Sequence, residues 1–419
     1  MKKLFALLLS LAMVLALVAC GQKDPTPDTP DTPDDPQTKV EYKVAMITDY
    51  GDITDQSFNQ TTYEACKAFA EDNSIEFSYF KPAGDNTADR VAMIEKAVDE
   101  GFNVIVMPGY AFGGAIVEAA PEFPDVKFIA LDVAAGDLLE TAVAKAGESY
   151  DFTPENWDLN KYVDMSNVYC AVYQEELCGY MAGYATVKLG YKNLGFLGGM
   201  AVPAVVRYGY GFVQGANAAA ADMGLTDVTI NYIYGGQFFG DADITAVMDT
   251  WYQGGTEVVF ACGGGIYTSA VDAAKKVDGK VVGVDVDQAG VIAKYAAGDG
   301  ADEATIAKYL DLTVTSAMKG LYPATYDTLN DVINNGNWEK YVGKIETLGL
   351  VSGTDPEANY VQIPMGDGTQ WSDSFTQDDY KAMVADMFDG KVTVSNDTKK
   401  APTDFATAIT VNDQGQIKG

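Results

Sequence analysis

The residues of this chain suited to chemistry are mostly carboxylates, amides, aromatics and glycines, and they gather in a few loops. One loop holds Asp49, Tyr50, Gly51 and Asp52, then Asp55, Gln56, Ser57, Phe58, Asn59 and Gln60. Another holds Gly109, Tyr110 and Phe112, and a lone Asp132 follows a short apolar run. Farther along come Gly198, Gly199 and Met200 with Pro203, Arg207 and Tyr208, then Gly263 to Gly265, then Asp285, Asp287 and Gln288, and finally Lys319. Aromatic faces stack on flat rings, and carboxylates accept hydrogen bonds from sugar hydroxyls or ring N–H groups. A ligand with an apolar face and several hydroxyl or amide groups suits such a set. Catalysis is poorly served. The chain has no histidine, which removes Ser-His-Asp and Cys-His arrangements, imidazole zinc sites and a histidine pH switch. No carboxylate pair stands out for glycoside hydrolysis, so no enzyme, cofactor or metal centre is expected.

Plainer roles compete for several of these residues. Asp49, Asp52 and Asp55 lack the alternation and glycine of a calcium loop. Asp55 and Ser57 suit helix capping and loop hydrogen bonds. Gly263–Gly265 lacks a dinucleotide fingerprint or a Walker lysine and reads as a tight strand-to-helix turn. Arg207 fits a structural ion pair, and Phe58 serves equally as a core residue or a ligand contact. Lys319 falls in a stretch read as a helix over residues 313–329, where a solvated face is the default.

The elements that position these loops alternate. Apolar runs at 42–48, 75–80, 102–107 and 126–131 read as strands, with helices over 57–72, 86–100 and 114–122 between them. Residues 134–165 break the rhythm and read as an irregular loop. The pattern restarts with strands at 167–173, 193–197, 228–233, 258–261 and 281–284 and intervening helices; a further helix is expected over 377–388. Repeated βα units imply an α/β fold with parallel sheets flanked by helices. Two such runs imply two similar lobes: 41–166 with a return segment near 289–320, and 167–288, with part of 321–419 crossing between them. Ligands bind beyond the carboxyl ends of such strands, where the loops above lie.

The chain opens with Lys2 and Lys3, an apolar run over 4–18, and Ala19-Cys20-Gly21. This resembles the lipobox of bacterial lipoprotein signal peptides, which implies cleavage after residue 19 and lipidation of Cys20. A Pro/Asp/Thr-rich stretch up to residue 40 reads as an extended tether. No later run is long and apolar enough to span a bilayer. The formal net charge of −32 argues against nucleic acid and against a polybasic membrane contact. Cys66, Cys170, Cys178 and Cys262 form no CxxC pair; Cys170 and Cys262 lie in apolar runs where a buried free thiol is the default, and one disulfide on an exported protein is the alternative.

Asp49-x-Gly51 with Asp55-x-Ser57-Phe58-Asn59-Gln60 resembles the opening signature of the basic membrane protein (Bmp) family of lipoproteins, which includes purine nucleoside receptors of ABC transporters. The resemblance continues through Gly195-Phe196-Leu197-Gly198-Gly199-Met200-x-x-Pro203, Arg207-Tyr208-x-x-Gly211-Phe212, Phe260-x-x-Gly263-Gly264-Gly265, Gly283-Val284-Asp285-x-Asp287-Gln288 and Thr315-Ser316-x-x-Lys319. It implies a two-lobed periplasmic-binding-protein type I fold that closes on its ligand. It further implies that Phe58 stacks on a nucleobase, that Asn59 and Asp132 bond its edge, and that Asp285 (or Asp287) and Lys319 hold the ribose. Asp49, Met200 and Gly263 complete the expected ligand-binding set. The family usually has Phe where this chain has Tyr208, which is expected to stack from the other side. The implied protein is a monomeric, lipid-anchored, extracytoplasmic binder that delivers a nucleoside to permease and ATPase subunits. A pentose-binding protein on the same scaffold, and a ligand-sensing surface lipoprotein, are the alternatives.

Overall fold

Short runs of buried apolar residues build the central strands of the sheets, as expected where helices cover both faces. The computed structural model describes residues 41–418; the expected leader, Cys20 and the tether lie outside the described residues. In chain order the strands are β1 (Lys43–Ile47), β2 (Glu76–Phe80), β3 (Val104–Pro108), β4 (Lys127–Leu131), β5 (Val168–Tyr173), β6 (Asn193–Gly198), β7 (Thr229–Tyr234), β8 (Val258–Cys262), β9 (Lys280–Asp285), β10 (Thr313–Lys319), β11 (Ile345–Leu348), β12 (Val361–Gln362) and β13 (Thr410–Gln416). They form two sheets, ordered β2-β1-β3-β4-β5-β11 and β13-β7-β6-β8-β9-β10-β12. All pairings are parallel except β10 with β12. The first five strands of each lobe repeat one order, so β1 to β5 correspond to β6 to β10. In both lobes the order reverses beside the first strand, which opens a crevice at the carboxyl ends.

Four expectations are corrected. β5 belongs to the first sheet, between β4 and β11, and not to the second. β10 lies in the second sheet, so residues 289–320 do not return to the first lobe; the chain returns with helix Leu321–Ile333, which packs on helix Phe58–Asn73, and with β11. Apolar periodicity marks a strand but does not say which sheet it joins. Residues 313–329 are a strand and then a helix, because the apolar run is cut at Gly320. The segment 134–165 holds the helix Ala135–Lys145, whose Asp137 carboxylate accepts from the Ala134 N–H at 2.7 Å. Helix Gln377–Phe388 lies where the sequence places it, and helix Glu175–Lys188 fills the gap between the strands expected at 167–173 and 193–197.

Three passages join the lobes: after β5, after β10, and between β11 and β12. They are laced together, since the Gln174 N–H donates to the Leu348 carbonyl (3.0 Å) and the Gly320 N–H to the Tyr360 carbonyl (2.7 Å).

Helix Glu175–Lys188 is buried on nearly every side and packs along helix Pro203–Met223. Glycines permit the contact. A Cβ at Gly179 would overlap the Tyr208 carbonyl, at Gly183 that of Phe212, at Gly211 that of Glu176 and at Gly215 that of Tyr180. This backbone-to-backbone approach fixes the first turn of one helix, which carries Glu175, and the second turn of the other, which carries Arg207-Tyr208. Gly183→Ala is expected to destabilise the protein by about 2 kcal/mol or more, because close-packed backbone has no room to yield. Gly290→Ala, where a Cβ meets open space, is expected to be neutral or slightly stabilising. Urea midpoints of the two variants test this, and equal midpoints contradict it.

Candidate functional site

Between the lobes lies a cavity of about 410 Å³, within the usual size of small-molecule sites, roughly 300–1,000 Å³. Its wall comes from corresponding turns of both lobes. Gly109 after β3 and Gly263 after β8 both have positive φ (126° and 147°). Asp132 after β4 and Asp285 ending β9 are both left-handed (φ 59° and 65°), a conformation that Asp tolerates better than most residues. The backbone turn at each site aims a carboxylate into the crevice.

Lys319 ends β10, and its side chain is 3% exposed. Its ammonium lies 2.5 Å from Asp132 Oδ2, 3.5 Å from Glu175 Oε1 and 3.8 Å from Asp285 Oδ1. It also sits 4.7 Å from the Phe58 ring centroid, 5.3 Å from that of Tyr173 and 5.6 Å from that of Tyr208. Burial opposes the lysine charge, but Asp132, Asp285 and Glu175 outweigh it and hold the ammonium above its usual range. Burial pushes the Asp132 carboxyl up, with Lys319 acting against it. Arg207 Nε donates to Glu175 Oε2 at 2.7 Å. Arg207 is thus the ion pair its residue type suggested, and it also lines the cavity.

The loop after β1 is organised by two carboxylates. Asp55 accepts from the backbone N–H groups of Ser57, Asn59 and Gln60 at 3.0, 2.9 and 3.0 Å, which caps helix Phe58–Asn73. Asp49 Oδ1 accepts from the N–H groups of Tyr50 and Gly51, both at 2.7 Å, and from Asn59 Nδ2 at 3.3 Å. Asn59 Oδ1 and Asp132 Oδ1 are buried without a partner. Ser57 does not cap the helix. Its hydroxyl crosses the cleft and donates to Asp285 Oδ2 at 2.5 Å. Gln288 Nε2 donates to the Gln56 carbonyl at 3.2 Å, and the hydroxyls of Tyr50 and Tyr110 reach Met200 Sδ at 3.7 and 3.8 Å.

Of the ten residues expected to bind ligand, Asp49, Phe58, Asn59, Asp132, Tyr208, Gly263, Asp285 and Lys319 line the cavity. Met200 does not; it forms the cross-cleft contact to the two tyrosines. Asp287 does not either: it is exposed, and its carboxylate accepts from the Ala289 N–H at 3.1 Å. Two residues past the strand end, the chain has already turned away into helix Ala289–Ala297. Tyr208 is 2% exposed, its ring lies perpendicular to that of Phe260, and the Lys319 ammonium lies over it, so it brings its hydroxyl rather than an open ring face. The Gly263–Gly265 loop is a turn, closed by the Gly265 N–H on the Phe238 carbonyl (2.9 Å) and the Ile266 N–H on Gly263 (3.0 Å). The sequence reading passed over Asp137, Phe238 and Phe239, which also line the cavity. The Gly235-Gly236 pair after β7, a loop after a strand like the others, was the available signal for the two phenylalanines.

Burial pushes the Asp137 carboxyl up to about 7 from an ordinary 3.8. The folded state holds this proton to higher pH than the unfolded chain, so its contribution to stability falls as pH rises through that window. Asp137→Asn is therefore expected to melt about 2 °C or more above the wild type at pH 8, with the gap closing by pH 4. Calorimetry at both values checks this; an equal gap at both contradicts it.

The family model for Bmp, described as ABC transporter substrate-binding protein PnrA-like, matches residues 42–354. The chain is 25% identical to the ABC transporter nucleoside-binding protein BmpA of Lactococcus lactis over 399 residues, covering 92% of this chain and 96% of that protein. It is 26% identical to an uncharacterized lipoprotein of Pyrococcus abyssi over 322 residues, covering 75% and 69% of the two chains. In fold it resembles an ABC transporter solute-binding protein from Conexibacter woesei (TM-score 0.58, 20% identity, 85% of this chain and 99% of that one).

Proposed function

The chain belongs to the Bmp family of PnrA-like ABC transporter substrate-binding proteins, and on that premise we propose that it captures a purine nucleoside between its lobes. Lipidated at Cys20 and held outside the cell membrane, it would hand that nucleoside to a permease driven by an ATPase. The work is binding and release; relatives of the chain are binding proteins and not enzymes.

The observation that carries the reading is the imbalance of the wall. Six carboxylates line the cavity (Asp49, Asp52, Asp55, Asp132, Asp137, Asp285) against two cations, Arg207 and Lys319, both already paired. Such a wall disfavours phosphate, because a buried anion beside carboxylates is uncompensated. It favours a neutral ligand rich in donors. Asn59 Oδ1 and Asp132 Oδ1, buried and unpartnered, are acceptors for the N–H groups of a base edge, since leaving them bare costs about 1–3 kcal/mol each. Phe58 supplies the stacking face. Asp285 and Lys319 hold the ribose. The name of the Lactococcus relative supports a nucleoside. Contacts from both lobes favour closure, and a ligand that bonds both stabilises the closed state.

Adenosine, guanosine or inosine is expected to raise the melting temperature of the purified protein, since a ligand of the native state alone must do so. Nucleoside monophosphates, ribose and arabinose are expected to leave it unchanged. A rise with pentoses alone would discard the nucleobase site. Phe58→Ala and Asp132→Asn are each expected to weaken the bound nucleoside at least about tenfold, or 1.4 kcal/mol, with circular dichroism unchanged. Wild-type affinity in both variants would contradict the assignment of the base-binding wall.

A further inference from the structure

Both oxygens of Asp285 already hold a hydroxyl donor from the protein itself. Ser57 Oγ donates to Oδ2 at 2.5 Å and the Tyr208 hydroxyl to Oδ1 at 3.1 Å. A carboxylate offers about four acceptor positions, so roughly half of its capacity is taken before a ligand arrives, and the Lys319 ammonium faces Oδ1 as well. The Tyr208 donor is held in place: the residue is 2% exposed, and its ring meets Phe260 edge-on at 6.0 Å and 85°.

This matters for how the site treats a missing ligand hydroxyl. A buried carboxylate that relies on ligand hydroxyls alone rejects an analogue lacking one, because an acceptor is left bare. Here the bare acceptor does not arise in the same way, since each oxygen keeps a protein donor. We propose that Tyr208 is a specificity-determining residue whose hydroxyl stands in for a sugar hydroxyl on Asp285, so that the protein accepts deoxyribonucleosides nearly as well as ribonucleosides. The inference rests on the nucleoside reading above and adds to it the tolerance of the sugar subsite. Ser57 acts on the other oxygen in the same sense, and it does so only when the lobes meet, because it belongs to the first lobe and Asp285 to the second.

The test is calorimetric titration of the purified protein and of Tyr208→Phe with adenosine, 2′-deoxyadenosine and 3′-deoxyadenosine, or with the guanosine series if guanosine binds more tightly. The quantity read is the ratio of deoxynucleoside to ribonucleoside Kd. In the wild type that ratio is expected below about five for at least one analogue, and Tyr208→Phe is expected to raise it at least about fivefold. If Tyr208→Phe does not fold, Ser57→Ala is read in the same way. A wild-type ratio above that limit for both analogues, or an unchanged ratio in the variant, overturns the inference while ribonucleoside binding leaves the nucleoside reading standing. Failure of the wild type to bind any ribonucleoside overturns both.

Discussion

Lys319 carries a positive charge into a place that is 3% exposed, and carboxylates from three separate stretches of chain converge on it. Asp132 comes from the first lobe, Asp285 from the second, and Glu175 from the helix entered directly after a passage between them. A buried ammonium without partners costs several kcal/mol, and so does each carboxylate left without its cation. The group is stable only when both lobes and the hinge supply their parts. Arg207 extends it by pairing with the far oxygen of Glu175. The relative placement of the lobes and the charge state of the cavity are therefore one problem. The groups of this cluster that face the cavity are held in place by one another, and the Lys319 ammonium lies over the Phe58 ring at 4.7 Å.

That arrangement depends on the correspondence between the lobes. Each sheet delivers a glycine turn after its third strand and a left-handed aspartate at the end of its fourth. The two crevices face each other, so equivalent turns wall one cavity from opposite sides. The second lobe adds a helix pair whose backbones touch through glycine. This contact sets the height of Glu175 and Tyr208 above the sheet, and it explains why residues at the start of two helices act together with residues at strand ends.

Much of the site was legible because loops after parallel strands are where such folds bind. That rule, joined to the family motifs, singles out Asp49, Phe58, Asn59, Asp132 and Asp285, all of which line the cavity. The choice between Asp285 and Asp287 needed the backbone: one is the last strand residue, its side chain turned inward by a positive φ, while the other already serves the next helix. Lys319 was placed on a helix by its apolar neighbours, whereas it ends a strand; apolar spacing over seven residues does not separate the two. Phe238 and Phe239 follow an edge-side strand, in a loop that none of the family motifs covers. Of the two residues suited to capping, Asp55 caps the helix and Ser57 does not.

Taken by itself, the sequence determined the α/β class, the two runs of strand and helix, and the family, because these follow from local apolar periodicity and from motifs in fixed order. It also determined the acidic, histidine-free chemistry available to any site. Only the tertiary structure decided which sheet β5 and β10 join, since a strand's partner is chosen by register and packing far along the chain. It alone decided that Ser57, Tyr208 and Lys319 all converge on Asp285. Residues up to 262 positions apart meet there, and no local pattern encodes a meeting that depends on two lobes closing on each other.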